Sequence, residues 1–151
     1  GQNAKAKHVA DIAMENLPIE FYGNYMTVEP FAEIYYELGE KAKAKEIVEQ
    51  LSQKYEEYLK YYAAMKPQEQ SQYAYEIIEN LQSLQRMIQI SQAHDQALAQ
   101  AIDKRLMAFE SVFKRYLDAL SAQQKENQII EQQMRAQDSV DLLNVDTTII
   151  P

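Results

Sequence analysis

The sequence contains no cysteine and no tryptophan, and it has only three glycines and four prolines among its 151 residues. The lack of cysteine excludes disulfides, thiolate metal sites and a cysteine nucleophile. The scarcity of glycine and proline leaves little material for the tight turns that connect strands. No apolar run approaches the roughly 18 residues that a membrane-spanning helix requires. These absences favour an all-α fold that is not held together by disulfides.

The chain is also short of positive charge. Its 15 Lys and Arg residues against 23 Asp and Glu residues give a formal net charge of −8. Nucleic acids and anionic lipid surfaces are bound by basic faces, so this balance argues against both as partners. The sequence is rich instead in Ala, Glu, Gln, Lys and Leu, which are strong helix formers. We therefore expect an all-α domain with a core of its own.

Apolar residues recur at helical spacing along most of the chain and predict five helices. The predicted segments are 4–16, 28–38, 40–65, 69–91 and 94–121, and the last of them is the longest. Pro18 is expected to end the first segment, because the residue before a proline avoids helical backbone. Thr27 is the expected cap of the second segment, and Gly39 is expected to end it with left-handed backbone.

The composition changes after residue 120. Residues 122–138 are rich in Gln, Glu and Lys, and their only large apolar residues are Ile129, Ile130 and Met134. This part is predicted to continue as a helix with little to bury. Residues 139–151 show no helical period, and we expect them to be either extended along the helices or disordered. The chain is thus divided into a helical domain, residues 1–121, and an extension, residues 122–151.

Residues 28–51 show the spacing of a tetratricopeptide repeat. Small Ala32 and Ala44 occupy the positions where the two helices of such a repeat approach closely. Tyr35 follows Ala32 by about one helical turn, and Gly39 turns the chain between the helices. The first helix, ended by Pro18, fits the second helix of a preceding repeat.

This spacing covers about one and a half repeats. The next two segments, 69–91 and 94–121, lack the motif and are predicted to form a long helical hairpin that caps the repeats. We therefore expect tetratricopeptide-like helical hairpins arranged as a right-handed α–α superhelix. A helical bundle that matches the spacing by chance is the alternative.

Three runs of sequence between Met14 and Met65 carry a more particular resemblance. They read MENLP, EPFAEIYYELGEKAKAKEIVEQL and KYEEYLKYYAAM. They resemble the C-terminal soluble region of a bacterial family of large membrane proteins. The many-spanning N-terminal part of that family is similar to protein O-mannosyltransferases, and the family is classed as glycosyltransferase-like.

The resemblance implies that this chain is a domain that follows a membrane part. Sugar transfer would then be carried out by acidic residues in loops of the membrane part, so no catalytic residue is carried over to this sequence. Gly1 stands in place of an initiator methionine, which also predicts a piece of a longer protein. The resemblance and the lack of cysteine favour an external or periplasmic location for a domain tethered to a membrane.

The sequence contains no recognisable catalytic or metal-binding motif. His8 and His94 are the only histidines, and neither has a second ligand at the spacing that a helical metal site needs. His8 is expected on the surface, and His94 is expected to be a capping or solvated residue. The carboxylates of segment 40–65 alternate with lysines, as they do on a solvated helix face. We therefore expect no metal, no cofactor and no catalysis in this chain.

Tyrosine is the unusual component, with 11 residues in the chain. Its ring buries a large area while its hydroxyl stays polar, which suits both half-buried packing and binding surfaces. The adjacent pairs 35–36 and 61–62 are each expected to place at least one tyrosine at the boundary of the core or at the surface. The expected groove, which would take a peptide or a glycan, comprises Tyr22, Asn24, Tyr25, Tyr36 and Tyr62.

Several functions are compatible with this sequence. The first is a non-catalytic domain of a glycosyltransferase-like membrane protein that binds a partner protein or presents an acceptor substrate. A free-standing tetratricopeptide-type adaptor is an alternative. A structural spacer that forms a homodimer through a helix over residues 94–138 is another. The last is a carbohydrate-handling enzyme with a pair of carboxylates in a tyrosine-lined cleft.

Overall fold

The computed structural model describes residues 1–19 and 25–145, and it describes side chains up to residue 137. Within those ranges every regular element is a helix and no strand occurs, which confirms the all-α class. The helices are α1 Gln2–Asn16, α2 Glu29–Glu37, α3 Lys41–Ala63, α4 Pro67–Gln70, α5 Ala74–Gln92, α6 Gln96–Val112 and α7 Lys114–Val145. Short 3₁₀ turns lie at Tyr25–Thr27 and Ser71–Tyr73.

The chain divides into two compact units, residues 1–113 and residues 114–151. In the first unit, α3 packs between α2 and α5, and α5 also packs against α6. Helix α1 lies against α2 at the other edge of this layer of helices. The fully buried large side chains of the first unit are Val28, Tyr35, Val48, Leu51, Leu59, Ile77, Leu84, Met87, Ile102 and Phe113.

The hairpin of α2 and α3 follows from local sequence. Pro30 lies in the first turn of α2, where its missing N–H costs nothing. Gly39 has a φ of 78° and is the only described residue after Gly1 with this left-handed backbone, as predicted. The N–H of Glu40 donates to the carbonyl oxygen of Tyr35 over 2.8 Å and closes the turn. Ala32 and Ala44 are completely buried, so larger side chains would not fit there.

Thr27 does not cap α2, contrary to the prediction. It lies in the 3₁₀ turn, and Val28 occupies the capping position without a side-chain hydrogen bond. The turn satisfies part of the backbone at the start of α2, because the N–H of Val28 donates to the carbonyl oxygen of Tyr25 over 2.9 Å. Pro30 has no N–H that needs a partner, which reduces the demand for a side-chain cap further.

The predicted helix over residues 94–121 is wrong, because the structure breaks it at Phe113. This residue has non-helical backbone, with φ −102° and ψ 18°, and its ring is completely buried. The β-branched and aromatic residues at this point have only a weak preference for helix. Burial of the Phe113 ring can therefore hold the backbone in a non-helical conformation. The dimerising helix expected over residues 94–138 is consequently not continuous, and the expected boundary after residue 121 lies inside α7. Segment 69–91 is likewise divided, since α5 begins only at Ala74.

The second unit is described up to residue 145 as the single helix α7. Ile129, Ile130 and Met134 are exposed, so the prediction that this part buries little is confirmed. Residues 139–145 are helical, which corrects the expectation of an extended or disordered segment. Extending an existing helix adds one hydrogen bond per residue without a new nucleation cost, and this favours continuation. Residues 146–151 of the predicted tail lie outside the described residues.

No helix in residues 1–19 and 25–145 is both long enough and apolar enough to cross a membrane.

Candidate functional site

Three tyrosines come together on the surface of the first unit. Tyr25 belongs to the 3₁₀ turn before α2, and Tyr58 and Tyr61 lie one turn apart near the end of α3. With Lys54 and Glu57 they line a cavity of about 380 Å³. The exposed fractions of Tyr58 and Tyr61 are 40% and 62%, so their rings are accessible to a partner. We call Tyr25, Tyr58 and Tyr61 the tyrosine face.

One ring of the tyrosine face, that of Tyr25, rests on a buried tyrosine. The ring of Tyr25 meets Tyr55 edge-on, with 6.0 Å between ring centroids. The centroids of Tyr25 and Tyr58 are 6.2 Å apart, and their planes are tilted by 48°. Aromatic pairs at such distances attract each other beyond their buried area. Tyr25 is therefore held in place by Tyr55, and Tyr58 packs against Tyr25.

A partly buried ion pair anchors Tyr55 in turn. Its hydroxyl donates to Glu29 Oε1 over 2.6 Å, and Arg86 Nε donates to Glu29 Oε2 over 2.7 Å. Arg86 also donates to the hydroxyl of Ser83 over 2.7 Å. Burial and the neighbouring Glu29 raise the pKa of Tyr55 far above its usual range, so its hydroxyl remains a donor. This network joins α2, α3 and α5 beneath the tyrosine face.

The tyrosine face itself carries a balanced charge. Lys54 Nζ lies 3.3 Å from Glu57 Oε2, and the amide of Gln53 also donates to Glu57 over 3.1 Å. Burial raises the pKa of Tyr25, and a hydrogen bond with Tyr58 raises it further. At neutral pH the face thus offers uncharged rings and hydroxyl groups beside one compensated ion pair. Such a surface can stack on flat groups and exchange hydrogen bonds with a peptide backbone.

The expected groove is only partly assembled by the structure. Tyr25 belongs to the tyrosine face, and buried Tyr62 adjoins it, with its ring centroid 5.6 Å from that of Tyr61. Tyr36 lies elsewhere, stacked on His94 with ring centroids 4.6 Å apart and planes within 7°. The predictions for Tyr22 and Asn24 lie outside the described residues.

The expectation that each adjacent tyrosine pair has a boundary or surface member holds for only one pair. Tyr61 is exposed and Tyr62 is buried, as expected. Tyr35 and Tyr36 are both buried, because α2 is covered on two sides. The Tyr35 hydroxyl donates to Asp11 of α1 over 2.7 Å. The Tyr36 ring is covered by the segment that joins α5 to α6.

Sequence reasoning selected neither Tyr58 nor Tyr61 for the expected groove. The buried side of α3 follows Leu51, Tyr55, Leu59 and Tyr62, which are spaced by three or four residues. Tyr58 and Tyr61 lie beside that stripe, on a row that begins at Lys54. The row was recognisable from helical spacing, whereas its pairing with Tyr25 depends on a contact across 33 residues of sequence.

No protein-family model, curated protein or solved structure matches this chain.

The best-shielded carboxylates of the first unit each hold a cation from another helix. Glu29 pairs with Arg86, and Glu56 accepts a hydrogen bond from Arg105 Nε over 2.6 Å. Among the described residues, no group of three or more His, Cys, Asp or Glu side chains could hold a metal ion. His8 is exposed, as expected. His94 is exposed as well, which agrees with the solvated alternative, while Asp95 caps α6 by accepting from the N–H of Leu98 at its Oδ1 over 3.0 Å. These carboxylates thus form ion pairs that join one helix to another, which we call carboxylate ties.

A third carboxylate tie makes stability depend on pH. Asp11 Oδ1 accepts from Tyr35 over 2.7 Å and from Lys43 Nζ over 2.6 Å, and Lys7 Nζ lies 3.2 Å from Oδ2. The hydrogen bond from Lys43, followed by that from Tyr35, lowers the pKa of Asp11 far below its ordinary value of 3.8. The folded chain therefore binds this proton less readily than the unfolded chain.

This tie is expected to weaken in acid. Its contribution is complete above the ordinary pKa of 3.8 and is lost as the pH falls below that value. We expect the urea midpoint of the wild-type chain to decline between about pH 5 and pH 3, and the Asp11→Asn variant to decline less. Urea titrations followed by circular dichroism at several pH values measure both. Equal declines in the two proteins would contradict the role given to Asp11.

Proposed function

We propose that this chain is a non-catalytic interaction domain that binds an extended segment of a partner protein at the tyrosine face. The observation that carries the proposal is the convergence of Tyr25, Tyr58 and Tyr61, from two elements, around one surface cavity. Tyrosine is enriched at protein interfaces, because a rigid ring supplies large contact area at a small loss of conformational entropy.

The geometry of the face favours a chain segment over a compact ligand. The cavity has a volume of about 380 Å³ and lies at the surface, where the exposed rings of Tyr58 and Tyr61 line it. The rings of Tyr25 and Tyr58 are tilted by 48° to each other, so they present differently oriented surfaces to a partner. The tyrosine hydroxyls can both donate to and accept from a partner backbone. The anchor through Tyr55 and Glu29 holds the ring of Tyr25 in place, so this ring loses little ordering entropy on binding.

The fold around the face supports the same function. The complete burial of Ala32 and Ala44 and the left-handed turn at Gly39 support a tetratricopeptide-like hairpin of α2 and α3. Stacked helical hairpins of this kind form extended surfaces that bind partner chains. We propose that the hairpin of α2 and α3 is a tetratricopeptide-like repeat.

The wider setting is a separate proposal. The resemblance described above supports a domain tethered to a membrane part with glycosyltransferase-like character, on the external side of the membrane. The partner segment would then belong to an acceptor protein or to another chain on that side. Determining the complete reading frame that encodes this chain tests this setting. Upstream spans of about 20 apolar residues are expected, and an entirely polar upstream sequence would contradict it.

Selection of peptide ligands tests the binding function. A library of random linear peptides is displayed on phage and selected on the whole chain, and the affinity of each enriched peptide is then measured by fluorescence anisotropy. We expect Tyr58→Ala and Tyr61→Ala each to weaken binding by about tenfold or more, as truncated anchor residues do. Tyr75→Ala serves as the control, because Tyr75 is 74% exposed on α5 and does not line the cavity.

Two outcomes would contradict the proposal. The first is equal affinity of the enriched peptides for the chain and for the Tyr58→Ala and Tyr61→Ala variants, with circular dichroism showing that both variants are folded. The second is a screen that enriches no peptide, together with oligosaccharide binding that Tyr58→Ala abolishes. That second result would replace the protein partner with a glycan.

A further inference from the structure

A second surface is formed by the outer side of α1. Ala10 is the only residue of this helix that is buried, so α1 makes few contacts with the rest of the first unit. Val9 is 64% exposed and Ile12 is 46% exposed, and they lie about one turn apart on the same side. A helix of 15 residues with so little burial is marginally stable on its own. These two exposed apolar side chains, on a helix with few contacts of its own, leave room for a further packing partner.

The charges on α1 are arranged against its own dipole. Lys5 lies near the positive N-terminal end of the helix, and Glu15 lies near the negative C-terminal end. The first turn has no acidic residue and the last turn has no basic residue. Lys5 and Glu15 each interact unfavourably with the dipole of α1 and therefore weaken the isolated helix slightly.

Lys5 and Glu15 are the charges of α1 that remain available to a partner. Lys7 and Asp11, which lie between them in sequence, are paired with each other, and Asp11 also binds Lys43 of α3. Lys5 and Glu15 are both exposed, and they flank Val9 and Ile12 along the helix.

We propose that a second copy of this chain docks on this surface, with the two α1 helices packed antiparallel about a twofold axis. Lys5 of each copy then faces Glu15 of the other, while Val9 and Ile12 pack between them. The antiparallel arrangement also places each unfavourable end charge beside an opposite charge and an opposed dipole. The same patch serves both copies, as a twofold interface requires.

The interface is small and the dimer is weak. A helix of 15 residues is about 22 Å long, and two such helices bury less than the roughly 800 Å² per partner of a standard interface. The average mass of the chain should therefore rise with concentration in sedimentation equilibrium rather than correspond to a fixed dimer.

Charge reversal tests this arrangement with the whole chain. Lys5→Glu alone places like charges across the interface, and so does Glu15→Lys alone. We expect each variant to raise the dimer dissociation constant by about tenfold or more. In an equimolar mixture, positions 5 and 15 are both acidic in one variant and both basic in the other. Contacts between unlike copies are then complementary at both ends of the helix pair, so the mixture should associate again.

The matched control is Lys104→Glu, an exposed change on α6. It reverses the same kind of charge outside α1 and should therefore associate like the wild-type chain. Weaker association of this variant, equal to that of Lys5→Glu, would indicate an effect of net charge and would overturn the proposed contact.

The single variants are not expected to lose structure. Lys5→Glu and Glu15→Lys each place a charge in agreement with the helix dipole, so the helicity of α1 should be kept or slightly increased. A wild-type chain that stays monomeric up to about 1 mM would overturn the proposal. Association that is unaffected by either single variant, or that is not restored in the mixture, would overturn it as well.

Discussion

Replacing Glu29 with alanine is expected to lower the free energy of unfolding of the first unit by about 2–4 kcal/mol. The Glu29 side chain is 8% exposed and neutralises Arg86, and it also accepts the hydroxyl of Tyr55. Alanine would leave a part-buried cation and a buried hydroxyl without their acceptor, and both losses cost free energy. Urea unfolding followed by circular dichroism measures the change.

The matched control is Glu33→Ala, one turn further along α2. Glu33 is exposed, so its replacement should change stability by no more than about 0.5 kcal/mol. If the Glu29 variant lost less than about 1 kcal/mol, the network would not be the tie between α2, α3 and α5 that its geometry indicates. A loss of about 2–4 kcal/mol in both the Glu29→Ala and the Glu33→Ala variants would point to a general effect of charge on this helix.

Enlarging Ala44 to leucine is the second change with a large expected effect. Ala44 is completely buried near the start of α3, where that helix packs against α2. Three additional carbon atoms would force neighbouring side chains or the helices apart, at a cost of about 1–3 kcal/mol. Thermal or urea unfolding measures the loss.

Ala42 provides the control for this change. It lies two residues earlier on the same helix and is exposed, and leucine is nearly as good a helix former as alanine. Ala42→Leu should therefore leave stability within about 0.5 kcal/mol of the wild-type value. Equal stability of the Ala42→Leu and Ala44→Leu variants would show that the two helices do not need a small residue at position 44.

The features predicted correctly from sequence are those that local physics determines. The end of α1 before Pro18 and the left-handed turn at Gly39 each depend on the backbone restrictions of one residue. The burial of Ala32 and Ala44 follows from helical spacing combined with residue size. The all-α class follows from composition.

The features that sequence reasoning missed depend on contacts between distant residues. Glu29 and Arg86 are 57 residues apart, and nothing near either of them in sequence indicates the pair. The burial of Tyr36 beneath His94 and the break at Phe113 likewise reflect tertiary packing that overrides helical period. For the same reason the expected groove included Tyr36 and omitted Tyr58.

The position of the tyrosine face is the central claim, and NMR of the tyrosine rings tests it most directly. The whole chain, isotope-labelled at tyrosine, is titrated with a peptide enriched in the selection described above. The account predicts that the ring signals of Tyr25, Tyr58 and Tyr61 shift together with peptide concentration, while those of Tyr36 and Tyr75 stay constant. Shifts centred on Tyr36 or Tyr75, with the tyrosine face unchanged, would contradict it.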